Sequence, residues 1–212
     1  MLHVLKGFLG DDLCQSFTTY ALRGRLDNFN SYGKELPNTH GVYKDPFAEA
    51  CLYCFRDRVQ KYFKEDIHPS YSFYIVYENG HCLPKHIDTD ACEISITIHT
   101  GHLYGDSYQG TVWPLYVDNS PILCNVGDAL MYDQKEKRYE HWREPFNGVY
   151  QIQLLLHYIT GSIDKIPVPA ENLIATALSL NYFQLFSILF LNDFNEILVT
   201  DCYYCETKTL TC

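Results

Sequence analysis

Residues 84–99 read PKHIDTDACEISITIH and combine a candidate metal-binding triplet with an alternating, strand-like segment. In the triplet, His86 and Asp88 are separated by one residue, so in an extended chain their side chains point to the same side. An imidazole and a carboxylate at this spacing can bind one metal ion if a second imidazole comes from a distant strand. The segment therefore predicts part of a metal site beside a β-strand.

Further segments rich in β-branched and aromatic residues are separated by turn sequences such as Glu78-Asn79-Gly80 and Asn147-Gly148. The predicted strands span residues 2–9, 71–77, 93–99, 111–117, 129–132 and 149–158. Helices are predicted for residues 13–26 and, beginning at Pro46, for residues 46–63, with a loop over 28–45. Short strands at such spacing predict a barrel or a two-sheet sandwich.

The chain after the last predicted strand has a different character. A linker punctuated by Gly and Pro covers residues 161–169, and an apolar stretch follows over residues 173–191. Polar residues interrupt this stretch, whereas a membrane span needs about 20 apolar residues, so we expect no membrane span. We predict two parts: a domain over residues 1–160, and a linker with a C-terminal helical extension over 161–212 that packs on the barrel or forms a homo-oligomer.

Charge and cysteine content restrict the classes of partner and compartment. A formal net charge of −10 repels phosphate backbones, so we expect no nucleic-acid partner. The N-terminal sequence lacks the features of a signal peptide, which predicts a cytoplasmic location and reduced thiols for the nine cysteines. Two CxxC pairs, Cys51 with Cys54 and Cys202 with Cys205, could bind zinc together. For the first pair, a better interpretation is that both cysteines, three residues apart in a helix, pack on one buried face.

The third ligand is suggested by a later segment. Residues 127–132 read GDALMY, and residues 141–145 read HWREP. Together with Tyr77-x-x-Gly80 and the His86-x-Asp88 triplet, this ordered set resembles the Fe(II)/2-oxoglutarate dioxygenase superfamily, in particular its prolyl-hydroxylase-like branch, over residues 71–158. The resemblance implies a mainly β double-stranded β-helix, or jelly roll, with N-terminal helices packed on it and the metal at one mouth.

The resemblance also implies roles for individual residues. His86 and Asp88 match the proximal iron ligands, and His141 matches the distal one. The superfamily usually binds the far carboxylate of 2-oxoglutarate with an Arg or Lys about ten residues after the distal histidine, but residues 149–153, VYQIQ, contain no basic residue. Arg143 is the nearest cation and becomes the candidate anchor, unless it lies on the surface and pairs with Glu144. The candidate hydrogen-bonding helpers are Tyr77, Ser95, Thr97 and His99.

The activity implied by the resemblance is hydroxylation of an unactivated C–H bond, coupled to conversion of 2-oxoglutarate and dioxygen into succinate and CO₂, with ascorbate as a reductant. The substrate is a peptidyl residue, an amino acid or a small metabolite, and the sequence does not distinguish these. Two alternatives stay open: a non-catalytic, cupin-like metal-binding module, and a nucleic-acid demethylase of the same superfamily, which the acidic charge disfavours.

Overall fold

A computed structural model of the chain describes residues 1–26, 40–105 and 112–161. Ten strands and three helices lie in these ranges. The helices are α1 (Asp11–Leu26), α2 (Pro46–Cys54) and α3 (Arg56–Gln60). The strands are β1 (Leu2–Leu5), β2 (His40–Tyr43), β3 (Ile67–Glu78), β4 (Leu83–His86), β5 (Ile94–Leu103), β6 (Leu115–Val117), β7 (Ser120–Ile122), β8 (Ala129–Asp133), β9 (His141–Arg143) and β10 (Tyr150–Thr160).

The strands form two antiparallel sheets. The larger has the order β1-β8-β5-β10-β3-β2, and the smaller has the order β4-β9-β6-β7. Helix α1 packs against β5 and β3, and α2 packs against β3 and β10, so both helices cover the larger sheet. This arrangement confirms the predicted mainly β jelly roll with N-terminal helices. The described residues contain no helix long and apolar enough to cross a membrane.

Strand β5 is buried on both faces, which explains its unusual composition. Ile94, Ile96 and Ile98 are fully buried on one face. Ser95 and Thr97, which alternate with them, are almost as buried on the other. Buried hydroxyl groups need hydrogen-bond partners, and the partners of Ser95 and Thr97 lie in the candidate site described below.

The predicted helix over residues 46–63 is two helices. Asp45 caps α2, because its carboxylate accepts hydrogen bonds from the backbone N–H groups of Phe47 and Ala48, and Pro46 occupies the first turn. The helix ends at Cys54, and Phe55 separates it from α3. The ring of Phe55 packs edge-on against Phe8, with 5.4 Å between the ring centroids.

Other local predictions were wrong. Residues 40–43 form a strand at the edge of the larger sheet, although the loop prediction included them. The prediction that Cys51 and Cys54 share one buried helix face is also wrong, since Cys51 is buried and Cys54 is exposed. The six described cysteines are all free thiols. The predicted C-terminal helical extension and the second CxxC pair lie outside the described residues.

The turn before β8 requires a glycine. Gly127 has a φ of +84°, and a Cβ there would lie 2.7 Å from the carbonyl oxygen of Leu9. The next residue, Asp128, fixes the N-terminal segment, because its carboxylate accepts hydrogen bonds from Lys6 and from the backbone N–H groups of Gly7 and Asn125. Gly127 and Asp128 therefore hold the start of the chain against the larger sheet.

We expect Gly127→Ala to lower the free energy of unfolding by roughly 2–4 kcal/mol, because it adds a backbone clash to an unfavourable φ. Gly80→Ala is the matched control, since Gly80 also has a positive φ, +83°, but a Cβ there would contact nothing within 4 Å. Urea unfolding of both variants measures the difference. Equal losses of stability would show that the contact with Leu9 does not constrain this turn.

Candidate metal centre

The pairing of two short strands brings the candidate ligands together. Strand β4 pairs with β9 so that His86 lies directly opposite His141, and their ring centroids are 4.2 Å apart. Asp88 follows His86 by two residues, just beyond the end of β4. His141 is buried, whereas the side chain of His86 is 39% exposed, so the site opens to solvent on the His86 side.

Three ligand atoms converge at this position. Oδ1 of Asp88 is 3.4 Å from Nε2 of His86 and 3.5 Å from Nε2 of His141, and all three ligand atoms lie within 4.8 Å of one another. Ligand atoms bound to one ion at about 2.1 Å are roughly 3–4 Å apart, so small side-chain movements suffice to bind it. The structure thus brings together His86, Asp88 and His141, although His141 lies 53 residues after Asp88 in the sequence.

Both imidazoles are oriented for metal binding by backbone carbonyl groups. Nδ1 of His86 is 2.8 Å from the carbonyl oxygen of Pro84, and Nδ1 of His141 is 3.1 Å from that of Tyr139. A carbonyl oxygen only accepts, so each Nδ1 carries the proton and each Nε2 is unprotonated and able to bind a metal ion. Burial lowers the pKa of His141 and favours this neutral form.

The carboxylate of Asp88 is held by hydrogen bonds on its other oxygen. Oδ2 accepts from the hydroxyl of Ser95 at 2.9 Å, from the hydroxyl of Tyr132 at 3.1 Å and from the amide of Gln134 at 2.8 Å. Burial alone would raise the pKa of Asp88, but interactions with His86 and with other neighbouring imidazoles outweigh it and hold the pKa well below its ordinary value. The carboxylate is therefore ionised, and Oδ1 faces the two histidines.

Sequence reasoning did not identify Tyr132 and Gln134 as partners of Asp88. A signal was present, because Tyr132 and Gln134 alternate at the end of β8 and so face the same side. Ser95 was expected to help bind 2-oxoglutarate, but its hydroxyl donates to Asp88. The donor set of two imidazoles and one carboxylate, with three hydrogen bonds supporting the carboxylate, fits a non-haem Fe(II) ion.

A cavity adjoins the metal-binding strand. Arg143 follows His141 by two residues in β9 and is 5% exposed. It lines a small cavity that is partly open to solvent. The other lining residues are Thr97, Trp113, Leu115, Ile122, Cys124, Leu130, Gln151 and Gln153. The alternative of a surface Arg143 paired with Glu144 is wrong, because the guanidinium is buried and lies 4.8 Å from the centre of the Trp113 ring.

Several side-chain hydrogen-bond donors line this cavity, and two of them lack acceptors. Arg143 donates to the backbone carbonyl of Trp113 at 3.0 Å, but in the part of the chain that the structure describes no carboxylate lies within 4 Å of it. The amide oxygens of Gln151 and Gln153 accept from Tyr104 and Thr97, which leaves the two amide nitrogens buried without partners. A buried cation and two unpaired amide donors together fit an anion.

The remaining candidate helpers lie around this cavity. Tyr77 is buried in an apolar cluster with Ile75, Trp113 and Phe146, and burial raises the pKa of its hydroxyl. Thr97 lines the cavity itself and donates to Gln153. Nδ1 of His99 is 2.8 Å from the carbonyl oxygen of Cys124, which is one of the lining residues.

His99 gives a testable pH dependence of stability. Burial lowers its pKa to about 4, whereas the unfolded chain keeps the ordinary value of 6.5. Below pH 6.5 the unfolded state takes up a proton that the folded state does not, so stability falls as the pH drops from 6.5 towards 4. We expect His99 to contribute a loss on the order of 2 kcal/mol at pH 5. Urea unfolding between pH 7 and 5 should show a smaller pH dependence in His99→Gln, and an identical dependence would contradict this assignment.

The chain matches no protein-family model and no curated protein sequence. Solved structures with similar folds were found. The prolyl-4-hydroxylase of Pseudomonas putida is 13% identical, with a TM-score of 0.58, and the match covers 76% of this chain and 93% of that one. A prolyl hydroxylase from Trichoplax adhaerens, in complex with a peptide of hypoxia-inducible factor, is 12% identical, with a TM-score of 0.58 and coverage of 74% and 83%.

HygX from Streptomyces hygroscopicus, with nickel and 2-oxoglutarate bound, is also similar. It is 11% identical, with a TM-score of 0.55, and the match covers 76% of this chain and 83% of that one. These likenesses show that the chain has the jelly-roll fold of the Fe(II)/2-oxoglutarate oxygenases. At such low identity they leave the substrate and the reaction to be argued from the site.

Proposed function

We propose that the chain is an Fe(II)- and 2-oxoglutarate-dependent oxygenase that hydroxylates a C–H bond, with iron bound by His86, Asp88 and His141. The observation that carries the proposal is the convergence of these three ligand atoms next to a donor-lined cavity that fits a carboxylate. Bound Fe(II) supplies the activation of dioxygen that couples oxidation of 2-oxoglutarate, to succinate and CO₂, to hydroxylation of the substrate.

The residues of the chain provide the binding and orientation that this chemistry needs. Two imidazoles with unprotonated Nε2 atoms and one ionised carboxylate would bind the ion through three ligand atoms, and its remaining positions would be available to the co-substrate and dioxygen. The hydrogen bonds from Ser95, Tyr132 and Gln134 keep Oδ2 of Asp88 occupied, so that Oδ1 is available to iron.

We further propose that Arg143 binds the C5 carboxylate of 2-oxoglutarate. Two cavity residues that sequence reasoning did not nominate, Gln151 and Gln153, donate from their unpaired amide nitrogens to the same carboxylate. Gln151 lies ten residues after His141, where the superfamily usually has its cation. The proposed anchor is thus the guanidinium of Arg143 in β9, the strand that also carries His141. Neutral amides stand where the superfamily usually has its cation.

The proposal also includes a class of substrate, a reductant and a cellular location. A peptidyl residue, an amino acid and a small metabolite each fit an opening on the His86 side, and the Trichoplax relative in complex with a peptide makes peptides a reasonable first class to test. Ascorbate serves as the reductant that keeps iron in the Fe(II) state. We place the enzyme in the cytoplasm, without a nucleic-acid partner, in agreement with its acidic charge.

The test is a screen of amino acids and peptides for succinate release by the purified full-length chain with Fe(II), ascorbate and 2-oxoglutarate. Our proposal expects slow release without substrate and faster release with the right one. Binding of metal without any binding or turnover of 2-oxoglutarate would instead support a cupin-like module. Stimulation by nucleic acid alone would support the demethylase alternative.

A further inference from the structure

A second group of potential metal ligands shares Asp88 with the iron site. Ligand atoms of Asp88, Cys92 and His157 all lie within 4.8 Å of one another. Cys92 ends the 3₁₀ helix Asp90–Cys92, four residues after Asp88, and His157 lies in β10, so the group joins two distant segments of the chain. Cys92 is 2% exposed and His157 is 4% exposed, so both are shielded from bulk solvent.

The surroundings of this group are polar although it is buried. The hydroxyl of Tyr71 is 2.9 Å from the Sγ atom of Cys92, and its ring lies 4.5 Å from that of His157. Ser95 connects the group to the iron site, because its hydroxyl contacts Nδ1 of His157 at 3.0 Å and donates to Oδ2 of Asp88. A thiol, an imidazole and a carboxylate thus meet where an apolar core would ordinarily be packed.

The chemistry of these three ligands differs from that of the iron site. Sulfur is a soft ligand, and a set of one thiolate, one imidazole and one carboxylate oxygen is typical of Zn²⁺ and similar cations. The His86–Asp88–His141 set has no sulfur and suits Fe(II). We propose that Asp88, Cys92 and His157 bind Zn²⁺, or another divalent cation with affinity for thiolate, at a second position that shares Asp88 with iron.

Sharing one carboxylate has a consequence for the proposed oxygenase. Asp88 is the only anionic ligand of the iron site, so a cation that draws it towards Cys92 and His157 weakens iron binding. This consequence depends on the proposed function, whereas binding of the cation to the second group does not. The binding itself is therefore the quantity to test.

Cobalt(II) is a suitable probe, because a Co²⁺–thiolate bond gives a strong near-ultraviolet charge-transfer absorption that imidazole and carboxylate ligands do not give. The background protein is the full-length chain with Cys54, Cys202 and Cys205 replaced by serine, which breaks both CxxC pairs. Three further variants are made in this background: Cys92→Ser, His86→Ala, and Cys82→Ser, the last as a control that removes an exposed thiol.

We expect the absorption in the background protein, in Cys82→Ser and in His86→Ala, and we expect Cys92→Ser to lose it. Because Cys92→Ser could fail to fold, His157→Gln provides a second test and should weaken cobalt binding by at least tenfold. Absence of the absorption from the background protein at saturating cobalt, or its persistence in Cys92→Ser, would overturn the proposal. The His86→Ala arm separates the two proposals, because it removes an iron ligand and leaves the second group intact.

Discussion

Replacing His141 with alanine is expected to weaken Fe(II) binding by more than about 100-fold and to abolish 2-oxoglutarate turnover. His141 is one of the three proposed ligands, and its Nε2 is oriented by a hydrogen bond from Nδ1 to the carbonyl oxygen of Tyr139. Loss of a ligand should cost more than the 10–100-fold that is typical for loss of a supporting hydrogen bond. Metal titration followed by calorimetry, together with a succinate assay, measures both effects.

His68→Ala is a suitable control, because His68 lies in β3 and takes no part in the site described above. It should bind Fe(II) like the wild type. Thermal unfolding of the metal-free proteins should show that His141→Ala is folded, so that its loss of metal is a property of the site. Wild-type affinity for Fe(II) in a folded His141→Ala protein would exclude the proposed ligand set.

Replacing Arg143 with leucine is expected to raise the apparent constant for 2-oxoglutarate by roughly 100- to 4,000-fold. Removing one partner of a buried ion pair typically costs about 3–5 kcal/mol, and each 1.4 kcal/mol corresponds to about a tenfold change. The affinity for Fe(II) should change little, since Arg143 is not among the three ligands. Steady-state kinetics with varied 2-oxoglutarate, and a separate metal titration, distinguish the two quantities.

The stability of this variant gives an independent readout. A buried guanidinium that has no carboxylate within 4 Å among the described residues is costly to the folded state, so Arg143→Leu should be as stable as the wild type or more stable when 2-oxoglutarate is absent. Adding Gln151→Lys to Arg143→Leu places a cation ten residues after His141, and it should recover part of the lost affinity. Near-wild-type kinetics in Arg143→Leu would move the anchor elsewhere.

Part of the candidate metal site could be predicted from sequence, because the relation between His86 and Asp88 is local. His86 and Asp88 fall on one side of an extended segment by alternation alone, and the resemblance supplied His141. What the sequence did not contain was the strand pairing that sets His86 opposite His141. Strands β4 and β9 have four and three residues, too few for a periodic pattern to indicate them.

The polar partners of the site were harder to predict, because they depend on contacts between distant segments. Ser95 was expected to act as a hydrogen-bonding helper for 2-oxoglutarate, but the acceptor that its hydroxyl meets depends on where the fold places Asp88. At Gln151, the sequence indicated only that the cation usual for the superfamily is missing from this position. Its role follows from an unpaired amide nitrogen in a cavity with Arg143, which requires the register of β10 against β5.

One site is expected to bind Fe(II) and 2-oxoglutarate together, and anaerobic titration measures this joint binding. A 2-oxo acid that chelates Fe(II) through its carboxylate and keto oxygens gives a visible charge-transfer absorption, which neither component gives alone. Our account predicts that this absorption develops when 2-oxoglutarate is added to the Fe(II)-loaded wild-type chain, and that its full intensity corresponds to one iron ion per chain. It also predicts no absorption in His141→Ala. Failure of the wild-type chain to develop the absorption at saturating Fe(II) and 2-oxoglutarate would contradict the account.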